Sequence, residues 1–336
     1  MFNSKRLGMM IASVVGLALA APVYASDVVT VYSARQEHLI KPFLDRFSDE
    51  TGVQVRYITD RAEPLLARLR AEGRNTRADM LITVDAGNLW QAGQAGVLRP
   101  VESELLQQRV PAHLRDPGNQ WFALTVRART IFYSSERVDP AELSGYADLA
   151  DPKWRGRLCM RTSNSVYNQS MVATMIANQG AAEAERIVRG WVANLAAPPF
   201  ANDTSTLEAI AAGQCDVALT NTYYYGRLKD AKPDLPVELF WADQDQNGVH
   251  VNISGAGITR HAGNPEGAQR LLEWLLSPAV QSEFAAINSE HPANPSVEWD
   301  PRQQAWGEFK ADPINVSEAG RLQPQAVMLM DRAGYR

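Results

Sequence analysis

Beyond residue 21 the 336-residue chain has no apolar run near the roughly 18 to 20 residues that span a bilayer, so no membrane insertion is expected of its mature form. It also lacks a positive excess: 33 Lys+Arg face 38 Asp+Glu, a net charge of -5, which makes nucleic acid a poor partner. Cysteine is down to two residues, Cys159 and Cys215. No HExxH, CxxC, phosphate-cradling loop or GxSxG run occurs, so the local signatures of zinc proteases, paired-thiol sites, nucleotide enzymes and serine hydrolases are missing. There is no internal repeat and no low-complexity segment.

What is present begins with an export signal. Lys5-Arg6 precedes an apolar stretch from Leu7 to Ala21 and then Pro22-Val23-Tyr24-Ala25, the order of a secretory signal peptide cleaved after Ala25. No cysteine follows directly, which argues against a lipid anchor and for the bacterial periplasm. Loss of residues 1–25 leaves 311 residues and a net charge of about -7. In that oxidising compartment Cys159 and Cys215 form either a disulfide or two buried thiols. Each lies eight residues before a tyrosine, Tyr167 and Tyr223, and the equal offsets suggest matching positions on neighbouring strands.

A mature chain of this length exceeds one core, so two domains are expected. Val28 to Tyr32, Val53 to Ile58 and Asp79 to Thr83 read as strands. Gln36 to Glu50, Ala62 to Glu72 and Gly87 to Ala95 have apolar residues at helical spacing. Strand–helix alternation resumes with a strand near Arg157 to Met160, helices over Asn168 to Asn178, Glu183 to Leu195 and Thr206 to Ala212, and a strand from Asp216 to Asn221. The pattern is open α/β architecture. Segments 121–133 and 249–258 are strand-like without adjoining amphipathic helices, as expected of a hinge linking two lobes. Asn264 to Ser277 and Ala279 to Asn288 read as helices.

Two tyrosine motifs fall at strand–helix junctions, where open α/β sheets present ligands. One is Arg161 to Ser170 around Tyr167; the other is Asn221-Thr222-Tyr223-Tyr224-Tyr225-Gly226-Arg227. A phenol, with a pKa of about 10, is a poor ligand for most ions at neutral pH. A small trivalent cation displaces the proton and keeps the hard oxygen, so tyrosines clustered in an exported protein suggest ferric iron. The plainer alternative is a buried aromatic cluster with its hydroxyls at a core edge. Asp85, His250 and His261 match no metal-ligand spacing and suit capping or solvated roles.

Together with Val31 to Gln36, Ala78 to Gly87 and Asn252 to Gly257, these motifs resemble the periplasmic ferric-ion-binding proteins of bacterial iron ABC transporters, over nearly all of the mature chain. The resemblance implies a two-lobed periplasmic binding protein fold of type II: two open mixed sheets flanked by helices, a strand hinge and an interlobe cleft. The lobes would be 26–125 with 251–300, and 126–250 with 301–336, the latter carrying the tyrosines. It implies a monomeric carrier rather than an enzyme, one that binds Fe(III) and delivers it to an inner-membrane ABC permease with its ATPase.

By the same resemblance Tyr167, Tyr223 and Tyr224 are the phenolate ligands, with Tyr225 turned away. Three phenolates match Fe(III) in charge and hardness. The first lobe departs from the histidine-bearing pattern of some relatives: Gln36 and Glu37 stand where those carry a His-Tyr pair, and His38 follows. Tyr32, Gln36, Glu37 and His38 are therefore the candidates for a further ligand or lid, with an exogenous anion such as carbonate, or water, as the alternative. Arg127, Arg35 and Arg227 are candidates for balancing that anion or acidifying the phenols, and Ser163 and Ser165 for presenting donors ahead of a helix. Each arginine equally suits an ordinary ion pair, and each serine an ordinary N-cap. Rival functions are a same-fold carrier of an organic solute (polyamine, thiamine or phosphonate) and an exported enzyme acting in the cleft.

Overall fold

The computed structural model describes residues 28–336, so the expected signal peptide, 1–25, lies outside the described residues. The first half alternates as β1 (Val28–Ser33), α1 (Glu37–Thr51), β2 (Gln54–Thr59), α2 (Ala62–Glu72), β3 (Met80–Val84), α3 (Ala86–Gln94), α4 (Glu104–Arg109) and β4 (Phe122–Ser134). Leu39, Ile40, Phe43, Leu44 and Phe47 form the buried face of α1, and Gly52 ends it at φ 74°, where a residue without Cβ is unstrained. The chain continues through β5 (Leu158–Cys159), α5 (Val166–Gln179), α6 (Ala181–Asn194), α7 (Asp203–Ala211), β6 (Val217–Asn221), α8 (Thr222–Ala231) and β7 (Val237–Phe240). It ends with β8 (Val251–Ile258), α9 (Pro265–Leu275), α10 (Pro278–Ala286), β9 (His291–Pro292), α11 (Pro301–Ala305) and α12 (Ser317–Arg332).

One long strand carries the architecture. The first part of β4 pairs antiparallel with β8 and β9, its last part with β6 and β7, so two mixed sheets share it and the order reads β2-β1-β3-β8-β4-β6-β5. A first core gathers on the β1–β3 and β8 side under α1, α2, α3, α9 and α10, with Ile40, Phe47, Leu81, Trp121 and Phe284 among its buried residues. Past Ala128 the alternation of β4 splits between two further cores. Ile131, Val217 and Leu219 face Trp154, Met171 and Trp191, while Phe132 and Ala218 face Leu207, Ile210 and Tyr225. The result is a mixed α/β protein of two lobes.

Two details differ from the sequence reading. Cys159 and Cys215 are joined in a disulfide, Cα–Cα 5.9 Å. They are not in register, however: β5 pairs with β6 at Cys159↔Ala218, and Cys215 sits before the strand begins. Helix α12 was not anticipated from the sequence; Gly320 and Pro324 interrupt its helical pattern. Its Ala326, Leu329 and Met330 are buried with α5 and α6 in the second core, and Gly320 lies against Trp90 of α3.

Candidate functional site

Tyr167 is the second residue of α5, and Tyr223 and Tyr224 open α8 directly after β6. Each phenol thus stands at a helix N-terminus, where the unpaired N–H groups favour negative charge. The three rings line one cavity of about 170 Å³ together with Arg35, Gln36, Val84, Arg127, Arg227, Ser254, Asn288 and Glu290. The rings of Tyr223 and Tyr224 are 4.3 Å apart. Tyr223 is buried, while Tyr167 and Tyr224 are half-buried.

The opposite wall comes from β3, β8 and β4, where Val84 pairs with Ser254 and Thr125 with the same Ser254. Thr125, Arg127 and Arg129 share a face of β4, as alternation requires. Arg127 donates from Nη2 to the Ile253 carbonyl at 2.7 Å and from Nη1 to Ser254 Oγ at 3.0 Å and Glu290 Oε1 at 3.3 Å. Arg35 donates from Nη1 to Glu290 Oε2 at 3.1 Å, and Thr125 Oγ1 donates to the same oxygen at 2.7 Å. Arg129 points one pleat further, to Asp203 at 2.8 Å and the Leu219 carbonyl at 2.8 Å.

The electrostatics follow from burial among like groups. Desolvation pushes the Tyr223 phenol well above its ordinary value, and the neighbouring Tyr167 and Tyr224 add to it; Arg127 works the other way. Tyr167 is raised for the same first reason, opposed by Arg127, whose guanidinium carbon lies 5.2 Å from the ring centroid. Arg161, 5.4 Å from that centroid, also opposes it. Burial would raise the Glu290 carboxyl, but Arg35 and Arg127 outweigh it and hold the group below its usual range. Tyr167 and Tyr223 are thus held neutral until a strong Lewis acid displaces their protons.

The remaining sequence candidates are distributed unevenly. Gln36 and Arg35 reach the cavity, and Arg227 lies 5.0 and 5.3 Å from the centroids of Tyr223 and Tyr224. The buried Tyr32 hydroxyl instead donates to Glu72 at 3.0 Å, under Arg68, within the first core. Exposed Glu37 accepts from Tyr57 at 2.8 Å, and His38 is exposed; neither lines the cavity. Nor do Ser163, whose N–H donates to the Arg336 carbonyl, and Ser165, which precedes α5 with its hydroxyl buried. Tyr225 turns away, its hydroxyl on Glu238 at 3.1 Å and its ring on Phe132. Asp85 caps α3 through the Gly87 N–H at 2.8 Å, as expected of a capping residue.

Glu290 and Asn288 were missed. Asn288 lies in the three-residue turn after α10 and Glu290 directly follows that turn, and only the fold brings Glu290 to Arg35 and Arg127, 255 and 163 positions away.

A cleft between two α/β lobes, joined by a shared strand and lined from both sides by polar groups, defines a binding protein that closes on a small solute. The chain belongs to the bacterial extracellular solute-binding protein family, whose model matches residues 43–312. It is 42% identical to iron uptake protein A2 of Synechocystis sp., over 96% of each chain. Among solved structures it is similar to a Trichodesmium protein in complex with iron and citrate (TM-score 0.89, 41% identity, 92% of this chain and 100% of that one). It is also similar to the ferric binding protein of Campylobacter jejuni (TM-score 0.85, 35% identity, 92% and 100%).

Proposed function

We propose that this chain is a periplasmic carrier that binds Fe(III) through the phenolates of Tyr167, Tyr223 and Tyr224 and hands it to an inner-membrane ABC permease with its ATPase. The observation that carries the reading is the meeting of three phenols on one cavity beside Arg127, two of them, Tyr167 and Tyr223, raised by burial. Relatives named for iron uptake and ferric-iron binding supply independent support. In this reading residues 26–125 with 251–300 form one lobe and 126–250 with 301–336 the other. The protein acts as a monomer after loss of residues 1–25.

The physical logic is charge matching. Entry of Fe³⁺ with release of three phenol protons leaves the net charge of the site unchanged, and hard oxygens suit a hard trivalent ion. An organic cation displaces no phenol proton, which separates this reading from an aromatic box. As a carrier the protein binds and releases without turnover. Visible absorption during titration with Fe(III) tests it: one equivalent should develop a phenolate-to-iron charge-transfer band, and a colourless one-to-one complex would overturn tyrosinate ligation.

A further inference from the structure

We propose that Tyr335 is a positioning residue of the iron site: its hydroxyl holds the turn ahead of α5 and so sets where Tyr167 enters the cavity. The proposal rests on the iron-site reading above and deepens it.

Tyr167 owes its place to a turn that is neither strand nor helix. The chain leaves a β-bridge at Arg161↔Phe200, passes Thr162 to Ser165, and enters α5 at Val166. Thr162 is tied on one side, its N–H donating to the Phe200 carbonyl at 2.9 Å, and the Ser165 N–H closes the turn on the Thr162 carbonyl at 3.1 Å. A second support comes from far along the sequence. The Tyr335 hydroxyl donates to the Arg161 carbonyl and accepts from Asn168 Nδ2 at 2.7 Å, 174 and 167 positions away. Asn168 Nδ2 also reaches the carbonyls of Arg161 and Thr162, each at 3.0 Å. Beside them the Ser163 N–H donates to the Arg336 carbonyl at 3.1 Å.

Tyr335 can act as a fixed post because the end of α12 sets its backbone. Gly334 takes a φ of 78°; its N–H donates to the Asp331 carbonyl at 3.0 Å and the Tyr335 N–H to the Met330 carbonyl at 2.9 Å, the paired bonds of a Schellman turn. The ring is 1% exposed and packs in the second core, so the hydroxyl has little freedom to follow the turn if it moves. Asn168 is fully buried and adjoins Tyr167 in the first turn of α5, so the bond that fixes one side chain fixes the backbone that carries the other. Arg161 belongs to the same anchored segment, and its guanidinium carbon stands 5.4 Å from the centroid of the Tyr167 ring. One hydroxyl thus keeps a ligand and the cation beside it in mutual register. Tyr223 and Tyr224 enter from β6 instead, on a different support.

A double-mutant cycle tests this. Fe(III) affinity is measured by chelator competition, together with the visible spectrum, for Tyr335→Phe, Tyr167→Phe and the double variant. Tyr335→Phe keeps the buried ring and should weaken iron binding by about tenfold, the scale of the hydrogen bonds lost, and shift the charge-transfer band. In the Tyr167→Phe background the same change should matter by less than about twofold, because the residue it positions no longer ligates. A merely structural tyrosine would lower Tm alike in both backgrounds and leave the band in place. Equal losses of affinity in the two backgrounds, or no loss in either, overturn the proposal. Hydrogen exchange of the iron-free protein supplies an arm without metal: the Ser163 and Ser165 amides should exchange about tenfold faster in Tyr335→Phe, and unchanged rates there overturn it equally. Should Tyr335→Phe not fold, Asn168→Ala cuts the same link from the other side and is taken through the same cycle. A Tyr167→Phe variant with wild-type affinity and spectrum would sink the tyrosinate reading itself, a result that no failure of the Tyr335 coupling imitates.

Discussion

The Ser170 hydroxyl lies 2.8 and 2.9 Å from the two carboxylate oxygens of Asp85, tying α5 of the tyrosine-bearing lobe to the turn between β3 and α3 of the other. Asp85 is fully buried, takes a φ of 76°, and also accepts from the Gly87 N–H and Asn252 Nδ2. The contact is thus a buried charge-assisted bond between lobes, beside a cap that holds α3. Ser170→Ala should lower unfolding free energy by about 1–3 kcal/mol, the cost of an unmet partner for a buried carboxylate. It should also speed iron dissociation without moving the charge-transfer band, since no ligand changes. Denaturant unfolding and stopped-flow release to a chelator measure the two effects. An unchanged release rate would show that the bond plays no part in closure.

The Cys159–Cys215 disulfide, separated by 56 positions, lies in the core beneath α7 and α8. Closing a loop of that size restricts the unfolded chain by about 4 kcal/mol in the chain-entropy treatment. Replacing both cysteines by Ser should reduce stability by about 2–5 kcal/mol and lower Tm by several degrees, read by calorimetry. Tyr223 and Tyr224 stand in the first turn of α8 and Tyr167 in the first turn of α5, so iron binding at 25 °C should survive in the folded fraction.

Much of this arrangement was legible in the sequence because it is written locally. Ala62–Glu72 shows its helix in Leu65, Leu66 and Leu69, and Tyr167, Tyr223 and Tyr224 stand at junctions that strand and helix periodicity mark. What stayed hidden depends on distant partners. Tyr32 reads like a cleft residue beside Ser33 and Arg35, but strand alternation turns its hydroxyl to Glu72 on α2. Glu290 has no local pattern at all. The one general signal is that buried arginines on a strand such as β4 require carboxylates, and that does not say which.

His291 is buried among Trp299, Trp306 and Phe309 with neither ring nitrogen hydrogen-bonded, and burial pulls its pKa down to about 4. The unfolded chain takes up this proton near pH 6.5, the folded one only near 4. The unfolded state therefore binds more protons in that window, and stability falls as pH drops through it. The share of His291 is on the order of 3 kcal/mol by full protonation. His291→Phe should keep the ring packing, remove that share and flatten the acid limb of stability against pH. The remaining slope should include His250, whose pKa burial lowers to about 3. An acid limb as steep as wild type would mean that the imidazole is solvated on the native side.

The three consecutive tyrosines divide the site most sharply. Tyr223 and Tyr224 face the cavity, whereas the Tyr225 hydroxyl is held by Glu238 and its ring packs 5.0 Å from Phe132 and 6.0 Å from Trp306. Tyr223→Phe or Tyr224→Phe removes one hard anionic donor and leaves the ring, so each should weaken Fe(III) binding by at least about a hundredfold, near 3 kcal/mol, and reduce the charge-transfer intensity. Tyr225→Phe loses only a hydrogen bond to a half-exposed carboxylate and should change iron affinity by less than about threefold. Proton release, followed in weakly buffered solution, should fall from about three per iron to about two in the first pair and stay near three in the last. Equal losses across all three variants would place the ligands elsewhere. A drop in proton release with Tyr225→Phe alone would mean that α8 turns about its axis when iron binds.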